Sequence, residues 1–434
     1  MANRYNMKLG LILIFILIEG FLIAQTNVAT HAMQPILPGA YQTEQYLPLL
    51  RGKRVGIFAN QTSTIGSTHL VDSLQKLGIT ITKVFAPEHG FRGTADAGET
   101  VGSYTDKNSG ILVVSLYGKK TQPNAIDLHD VDIMLFDIQD VGVRFYTYIS
   151  SLQGFMESAI QYNKPLLLLD RPNPNGFYVD GPILEKECSS FVGMQPIPVV
   201  YGMTEGEYAN MLLGEKWLNW KYICKEDKQS TSLGQILGFE EKHTNFKLTV
   251  IPCKHYTHLS KYVLPVKPSP NLPDMASVYW YPSTCFFEGS NISEGRGTEH
   301  PFCIFGHPSF PDSLFLFVPT ARIGAKEPKH KDKKCYGWNV FAANNAVLRK
   351  LNNHLQLQYL LNAYRLYPAK DSFFISTKSG GETEYFFNKL AGTKDLMQQI
   401  RAGKGEAEIR KSWQPKLTAF MAIRKKYLLY KDFK

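Results

Sequence analysis

Short apolar runs recur through the first half of the chain and alternate with segments of helical spacing. The runs that we predict to be strands cover residues 55–59, 81–86, 111–116, 133–136, 166–169, 197–200 and 247–251. Helices are predicted at 69–77 and around 148–162, and a third begins at the capping box Thr204-Glu-Gly-Glu207. Because the strands are apolar throughout and helices separate them, the pattern predicts a parallel sheet that is covered on both faces.

The order of these elements predicts an α/β fold with two domains. We place a Rossmann-like, doubly wound N-terminal domain at residues 45–260 and a smaller α/β C-terminal domain at 261–434, with the active cleft between them. The proline-rich segment 265–273 is either a linker or a functional loop. Strands at 314–318 and 372–376 and a terminal helix at 415–430 are predicted in the C-terminal domain. No Gly-x-Gly-x-x-Gly follows the first strand, so we expect no dinucleotide and predict no cofactor.

Polar residues follow most of the predicted strands, at 60–62, 87–89, 117–118, 137–140, 170–173 and 201–202. The carboxyl ends of parallel strands meet at one edge of a sheet, where ligands bind in open α/β folds. We therefore expect these polar clusters to surround one crevice.

Two glycine-flanked loops carry carboxylates. Glu88 stands in Pro-Glu-His-Gly-Phe-Arg-Gly directly after a predicted strand, and Glu294 and Glu299 flank Gly-Arg-Gly. A structural alternative is that Glu88 pairs with Arg92 and caps a helix. Paired carboxylates across a cleft suit glycoside hydrolysis, in which one protonates the leaving oxygen and the other handles water or the anomeric carbon. We predict Glu88 as the general acid and Glu294 as its partner, acting as base or nucleophile.

A further acidic pair, Asp137 and Asp140, follows another predicted strand, with Arg144 close in sequence. Aspartates after a strand also favour turns through local backbone hydrogen bonds, so a structural role is the alternative. We keep Asp137 as the substitute for Glu294 in catalysis.

Metal chemistry has weaker support. Cys253, His255 and His258 are spaced as Cys-x-His-x-x-His after a predicted strand, which differs from the helical His-Glu-x-x-His arrangement of zinc enzymes. We therefore predict no metal. The six cysteines are irregularly spaced and predict no disulfide pairing.

The first 25 residues have the features of a secretory signal peptide. Basic residues precede an apolar run, and Ala24 supplies a small residue for cleavage. Glu19 and Gly20 interrupt that run, so a permanent membrane span is the less favoured alternative. We expect an exported protein in the periplasm or at the envelope, with no stable membrane span after cleavage.

The remaining composition is that of a globular protein. Among 434 residues, 44% are hydrophobic and the net charge is +10, which favours anionic partners. The lysines are scattered and no arginine-rich helix is present, so the charge does not indicate nucleic acid.

Nine linked motifs resemble those of the bacterial exo-β-N-acetylmuramidase family, from residue 51 to the C-terminus. The motifs are Ala59-Asn-Gln-Thr62, Pro87-Glu-His-Gly-Phe-Arg-Gly93, Asp137-Ile-Gln-Asp-Val-Gly-Val-Arg-Phe-Tyr-Thr-Tyr148, Asp170-Arg-Pro-Asn-Pro174, Asp180-Gly-Pro182, Gly202-Met-Thr-Glu-Gly-Glu207, Lys267-Pro-Ser-Pro-Asn271, Glu288-Gly-Ser-Asn-Ile-Ser-Glu-Gly-Arg-Gly-Thr-Glu299 and Arg424-Lys-Lys-Tyr-Leu-Leu-Tyr430.

The resemblance implies an exo-acting glycosidase that removes N-acetylmuramic acid from the non-reducing end of peptidoglycan fragments. Arginine can hold the lactyl carboxylate of this sugar through two parallel hydrogen bonds. The substrate-binding residues that we assign are Asn60, His89, Arg92, Gln139, Arg144, Tyr146, Arg171, Asn173, Asn271, Arg296 and Glu299. The alternatives are a non-catalytic protein that binds cell-wall glycans and a metal-dependent peptidoglycan amidase.

Overall fold

The computed structural model describes residues 34–88, 90–93, 102–218, 246–379 and 382–433. The described residues from Ile36 onward belong to one compact unit. The predicted signal peptide, residues 1–25, lies outside the described residues. Within the described ranges, no helix is both long enough and apolar enough to cross a bilayer.

The strands of the described residues have the following bounds. They are β1 Arg54–Ala59, β2 Thr64–Ile65, β3 Thr68–His69, β4 Thr80–Ala86, β5 Tyr104–Thr105, β6 Leu112–Ser115, β7 Ile133–Asp137, β8 Leu166–Leu169, β9 Leu248–Ile251, β10 Ile304–His307, β11 Phe315–Phe317, β12 Cys335–Asn339, β13 Ser376–Ser379 and β14 Glu382–Tyr385. The α-helices are α1 Thr43–Leu50, α2 Leu70–Lys76, α3 Ala125–Leu128, α4 Tyr148–Gln161, α5 Glu205–Gly214, α6 Met275–Thr284, α7 Asn344–Leu351, α8 Gln358–Leu366, α9 Phe386–Ala391, α10 Asp395–Arg401 and α11 Glu406–Arg424.

A mostly parallel sheet forms the first half of the fold. Its strand order is β5-β6-β4-β1-β7-β8-β9, and β5 is antiparallel to its neighbour while the other pairs are parallel. The chain therefore moves outward from β1 on one side through β4 and β6, and on the other through β7, β8 and β9. The predicted parallel sheet is confirmed.

The two faces of this sheet are covered by different apolar groups, because side chains alternate along a strand. Phe58, Phe85 and Phe136 point to one face, where Phe155 of α4 packs against them at ring-centroid distances of 5.3, 5.6 and 6.1 Å. The opposite face belongs to a second cluster that includes Val55 and Ile57 of β1 and residues of α1 and α2. Burial on both faces explains why the strands are apolar throughout.

The predicted strand at 197–200 is wrong. These residues are buried, but Val200 forms only isolated bridges, with Val143 and Asp180. Pro196 and Pro198 lack backbone N–H groups, so this run cannot take part in a continuous ladder.

The C-terminal part contains an antiparallel sheet of order β10-β12-β11 and the hairpin β13–β14. The strand predicted at 314–318 is confirmed as β11, whereas the one predicted at 372–376 begins only at Ser376. The terminal helix was predicted too late, since α11 starts at Glu406 and contains Pro415. Buried residues lie on both sides of this proline and pack the helix against the core; they are Ile409, Trp413, Leu417 and Phe420.

Candidate active site

Glu88 and Tyr117 leave the central sheet at neighbouring strand ends. Ala86 of β4 pairs with Ser115 of β6, and each side chain stands two residues beyond its pairing position. The two side chains therefore meet, and the Tyr117 hydroxyl donates a hydrogen bond to the Glu88 carboxylate. Burial, reinforced by the negative charge of Glu88, raises the pKa of Tyr117 and keeps this donor protonated.

Both residues line a cavity of about 770 Å³. Its C-terminal lining includes Tyr281, Glu288, Glu294 and Arg296. The other lining residues are Phe145, Thr147, Phe191, Val192, Phe386 and residues 324–329. The structure thus brings the two predicted catalytic carboxylates, Glu88 and Glu294, to the same cavity.

A narrower cavity of about 60 Å³ shares five lining residues with the larger one, namely Glu88, Phe145, Thr147, Tyr281 and Arg296. Its other lining residues are Tyr146, Tyr148, Ser269, Asn271, Leu272 and Phe302. Two further predicted site residues, Tyr146 and Asn271, therefore lie beside Glu88.

Glu294 is only 3% exposed and stands between two cations. Its Oε1 lies 3.4 Å from Nε of Arg296, and its Oε2 lies 3.2 Å from Nζ of Lys329. Burial acts to raise the pKa of Glu294, but the charges of Lys329 and Arg296 outweigh it, so the pKa lies below its usual value. Glu294 is therefore ionised at neutral pH, as a base or nucleophile must be.

Arg296 is held in the cavity lining by charge and by its backbone. Its Nη2 donates to Oε1 of Glu288 at 2.6 Å, and its guanidinium carbon lies 5.5 Å from the Phe302 ring centroid. Gly295 and Gly297 both have φ of 83°, a conformation that favours glycine. A Cβ on Gly295 would lie 1.9 Å from the Ile304 carbonyl oxygen, so this loop can pack on β10 only with glycine there.

Asn60 acts behind the cavity by holding the proline-rich segment in place. Its Nδ2 donates to the Tyr148 hydroxyl at 2.9 Å, and that hydroxyl donates to the Pro268 carbonyl at 3.3 Å. The Tyr146 hydroxyl donates to the same carbonyl at 2.8 Å. The segment 265–273 is thus a loop docked on the sheet edge, where Ser269 and Asn271 become cavity lining.

A third cavity, also of about 770 Å³, contains Glu299 and Asn271 together with Gln61, Lys267 and Arg322. Asn271 lines both this cavity and the narrow one, and its Nδ2 donates to the Gly324 carbonyl at 2.8 Å. Glu299 lines this third cavity and is not part of the lining that Glu88 and Glu294 share.

Four predicted site residues are instead buried in structural contacts behind the sheet edge. Asp137 is fully buried and paired with Arg171 through two contacts of 2.6 and 2.8 Å. Gln139 donates to the carbonyls of Asp140 and Pro172 at 2.8 Å, and Asn173 donates to the carbonyl of Met203 at 2.7 Å. None of the four lines the cavities described above.

Arg144 is also fully buried and connects distant parts of the chain. It donates to the carbonyls of Pro182 and Ile197 through Nη1 and to that of Leu390 through Nη2, at 2.8 to 2.9 Å. Burial lowers its pKa to about 9. It does not meet Asp137, and its contacts are those of a core residue.

Arg92 is paired with Asp106 at 2.7 Å and stacks on Phe91 at 4.3 Å, away from the cavity lining. Arg92 thus has Asp106 as an ion-pair partner. His89 lies outside the described residues.

Two of the three residues weighed as a metal site, Cys253 and His258, have other partners. The Cys253 thiol donates to the Asp170 carbonyl at 3.3 Å, while His258 contacts Glu207 at 3.0 Å and the Gly176 carbonyl at 3.1 Å. Across the described part of the chain, no three His, Cys, Asp or Glu side chains are grouped as metal ligands. The five described cysteines are buried and free, and Cys224 lies outside the described residues.

Comparison with known proteins covers nearly all of this architecture. Family models for the N-terminal and C-terminal parts of exo-β-N-acetylmuramidase NamZ match residues 55–276 and 279–430. The chain belongs to the exo-β-N-acetylmuramidase family. The resemblance predicted from the motifs is confirmed.

Relatives of known sequence or structure agree with this assignment to the exo-β-N-acetylmuramidase family. The peptidoglycan β-N-acetylmuramidase NamZ of Bacillus subtilis (strain 168) is 38% identical over 405 residues, which cover 89% of each chain. Two crystal structures of DUF1343 family proteins from Bacteroides fragilis are also similar. One is 40% identical with a TM-score of 0.78 and covers 92% of this chain and 100% of its own. The other is 26% identical with a TM-score of 0.71, covering 91% and 99%.

Three lining residues of this exo-β-N-acetylmuramidase family member, Glu288, Tyr281 and Lys329, were missed by the sequence prediction, and Tyr117 was expected at the crevice but was not assigned to the site. Glu288 stands in the same motif as Glu294, and Tyr117 follows a predicted strand, so both carried a local signal. Tyr281 lies within α6, and Lys329 lies in a lysine-rich segment that reads as solvated surface. These two carried no such signal, because only their long-range neighbours make them part of the cavity lining.

Proposed function

We propose that this protein is an exo-acting β-N-acetylmuramidase that releases N-acetylmuramic acid from the non-reducing end of peptidoglycan fragments. The carrying observation is that Glu88 and Glu294, from distant parts of the chain, line one cavity. Membership of the exo-β-N-acetylmuramidase family supports the reaction class. Muramyl glycans are therefore the partners that we assign.

The proposed roles follow from the position of Glu88 and from the charge around Glu294. Glu88, just beyond the carboxyl end of β4 and in the cavity lining, serves as the general acid that protonates the leaving oxygen. Glu294 is kept ionised by Lys329 and Arg296 and acts on the anomeric side, as nucleophile or through water. The anomeric configuration of the first product distinguishes these two routes, since a nucleophile retains it and a base that activates water inverts it.

We assign the lactyl carboxylate of the sugar to Arg296. This guanidinium lines both cavities that contain Glu88, whereas Arg92 is paired with Asp106 elsewhere. A guanidinium binds a carboxylate through two parallel hydrogen bonds, which an ammonium cannot reproduce.

We interpret the central sheet as Rossmann-like and the cavity as an interdomain cleft. The parallel strand order β6-β4-β1-β7-β8-β9 supports the first point, because it corresponds to the doubly wound order of that fold. The mixed origin of the lining, with Glu88 from the first part and Glu294 from the second, supports the division at residues 45–260 and 261–434.

We further propose that the protein is exported to the periplasm or envelope. The basic start and apolar run of the first 25 residues support this proposal. N-terminal sequencing of the exported protein should find a mature start shortly after Ala24 or Ala32. An intact Met1 on cytoplasmic protein would contradict it.

Replacing the general acid tests the proposed mechanism. Glu88→Gln should fold and bind substrate but hydrolyse the natural disaccharide ~10²-fold or more slowly, since general acid catalysis typically contributes that much. A nitrophenyl muramide needs little protonation of its leaving group, so it should lose much less activity. Near-normal turnover of the disaccharide by Glu88→Gln would refute the assignment. Glu157→Gln, a glutamate within the buried helix α4, is the matched control and should retain activity.

A further inference from the structure

The ammonium group of Lys329 lies within a shell of oxygen atoms beside the cavity. Four are carbonyl oxygens, of Phe287 at 2.8 Å, Glu288 at 3.1 Å, Ser290 at 2.8 Å and Ile292 at 3.4 Å. The fifth is Oε2 of Glu294, at 3.2 Å. An ammonium group has three N–H donors, so five oxygen atoms are more than it can bond one by one. The shell therefore surrounds the positive charge as a whole.

The four carbonyl groups come from one short segment of the chain. Residues 287–292 begin in a 3₁₀ turn and lead directly into Glu294, so the lysine stands inside a curve of backbone. His330 adds to this arrangement, because its Nε2 lies 2.7 Å from the Asn291 carbonyl oxygen. Converging carbonyl dipoles repel one another unless a positive charge lies between them. The ammonium group therefore stabilises the curve.

Lys331, two positions later, shows what an ordinary lysine does here. Its Nζ pairs with Glu327 at 2.8 Å, four residues away, and the glutamate side chain is 80% exposed. Pairs of this kind contribute little to stability. Lys329 differs because its partners are backbone groups about forty residues earlier and a carboxylate that is 3% exposed.

We propose that Lys329 is a positioning residue, an ammonium ion tethered to the chain around which residues 287–292 fold so that Glu288 and Glu294 face the cavity. The part concerning catalysis rests on the proposed role of Glu294. The oxygen shell itself does not depend on that role. Removing the side chain beyond Cβ therefore leaves a site for a free alkylammonium ion.

Propylammonium is the matching probe, because its atoms equal those that Lys329→Ala removes. The variant should lose ~10–10²-fold in kcat with a smaller change in KM, since misplaced catalytic groups cost this much. Millimolar propylammonium should restore kcat at least ~10-fold in a saturable manner and should raise the melting temperature of the variant. Propylammonium should change neither the kcat nor the melting temperature of wild type or of Lys331→Ala.

Lys329→Met separates the charge from the packing. Methionine fills the space of the lysine stem without a cation, so this variant should show the same ~10–10²-fold loss in kcat as Lys329→Ala and no rescue by propylammonium, because the site is occupied. If Lys329→Ala can be purified as folded protein only in the presence of propylammonium, this result supports the proposal equally. Full activity of Lys329→Met would overturn it, since the charge would then be dispensable.

The pH profile supplies a readout that a purely structural lysine would not move. The charged and titratable groups around Glu294 are Lys329, Arg296, Glu288, His330 and Cys285. Losing one of its two cations raises the pKa of Glu294, so the acidic limb of kcat/KM should move to higher pH in Lys329→Met. An unchanged limb would contradict the positioning role.

The melting experiment distinguishes failure of this inference from failure of the proposed function. If Glu294→Gln keeps its activity, Glu294 has another role, yet propylammonium should still stabilise Lys329→Ala. If the melting temperature of Lys329→Ala and its kcat are both insensitive to propylammonium, the oxygen shell is not a cation site and the inference is wrong.

Discussion

The carboxyl edge of the central sheet is open at β4 and β6 and covered at β7 and β8. Glu88, two residues after β4, is half-buried and lines the cavity. Asp137, the last residue of β7, is fully buried against Arg171. Asp170, directly after β8, is also fully buried and accepts hydrogen bonds from Thr204 at 2.7 Å and from the Gly206 N–H at 2.9 Å.

Both kinds of carboxylate lie within two residues of a strand end, so proximity to the strand end does not decide their role. The cover does. At β8 the start of helix α5 and Tyr430 from the C-terminus close over the edge. The carboxylates beneath it are satisfied by protein groups, whereas Glu88 keeps a side towards the cavity. We expect mutations at the covered part to affect stability and mutations at the open part to affect catalysis.

The largest effect is expected where a buried ion pair is broken. Asp137→Asn should destabilise the protein by ~3–5 kcal/mol, because the buried guanidinium of Arg171 loses its compensating charge. Urea unfolding measures this. Asp132→Asn is the matched control, since its ion pair with Arg54 is partly exposed and should contribute little. Equal effects of the two substitutions would show that burial does not decide the cost of losing an ion pair.

The covered part should also impose a pH dependence on stability. Burial raises the pKa of Asp140 to about 7, against the opposing hydrogen bonds from Tyr201 and Gly142. Between the unfolded value of ~4 and about 7, the folded state holds a proton that the unfolded state has released, so stability falls as pH rises. Asp140→Asn should gain ~2–4 kcal/mol relative to wild type over this window, measured by urea unfolding at several pH values.

Asp106→Asn provides the control of opposite sign. Although burial alone would raise the pKa of Asp106, hydrogen bonds from Arg92 and Ser109 lower it to about 2. The free energy of unfolding of wild type therefore rises as pH increases from about 2 to ~4, and Asp106→Asn should lack this increase. Parallel pH curves for wild type and both variants would contradict these two assignments.

Sugar selectivity should depend on the open part. Arg296→Lys should weaken the binding of N-acetylmuramic acid ~10-fold more than that of N-acetylglucosamine, because an ammonium cannot form the paired contact with the lactyl carboxylate. Inhibition constants of both sugars measure the difference. Arg92→Lys is the control and should leave the ratio unchanged, since Arg92 pairs with Asp106. Equal losses for both sugars would make Arg296 a structural residue.

The smallest effect is expected at Tyr117. Tyr117→Phe removes one hydrogen bond to Glu88 and should lower kcat/KM by ~3–10-fold, in keeping with the ~1 kcal/mol of an ordinary hydrogen bond. Tyr427→Phe removes a comparable bond to Glu215 far from the lining and should leave kcat/KM unchanged. A loss beyond 10²-fold would instead make Tyr117 a direct participant in proton transfer.

The sequence by itself determined the central sheet and the position of Glu88. Apolar runs bounded by polar residues predict strands because the hydrophobicity of a short run can be read from the local sequence, and a residue that follows a parallel strand must lie at the carboxyl edge. The turn conformation at Gly295 and Gly297, on either side of Arg296, could also be predicted from the sequence, since left-handed backbone favours glycine in any context.

Only the tertiary structure decided which strand-end residues reach the cavity. Asp137 and Glu88 look alike in the sequence, but the partner of Asp137 is Arg171, 34 residues later. Lys329 looks like surface, but its ammonium meets the Ser290 carbonyl 39 residues earlier. Local periodicity specifies an element and its apolar face, whereas the partner of a polar group depends on which distant segment covers it. That contact exists only once the chain has folded.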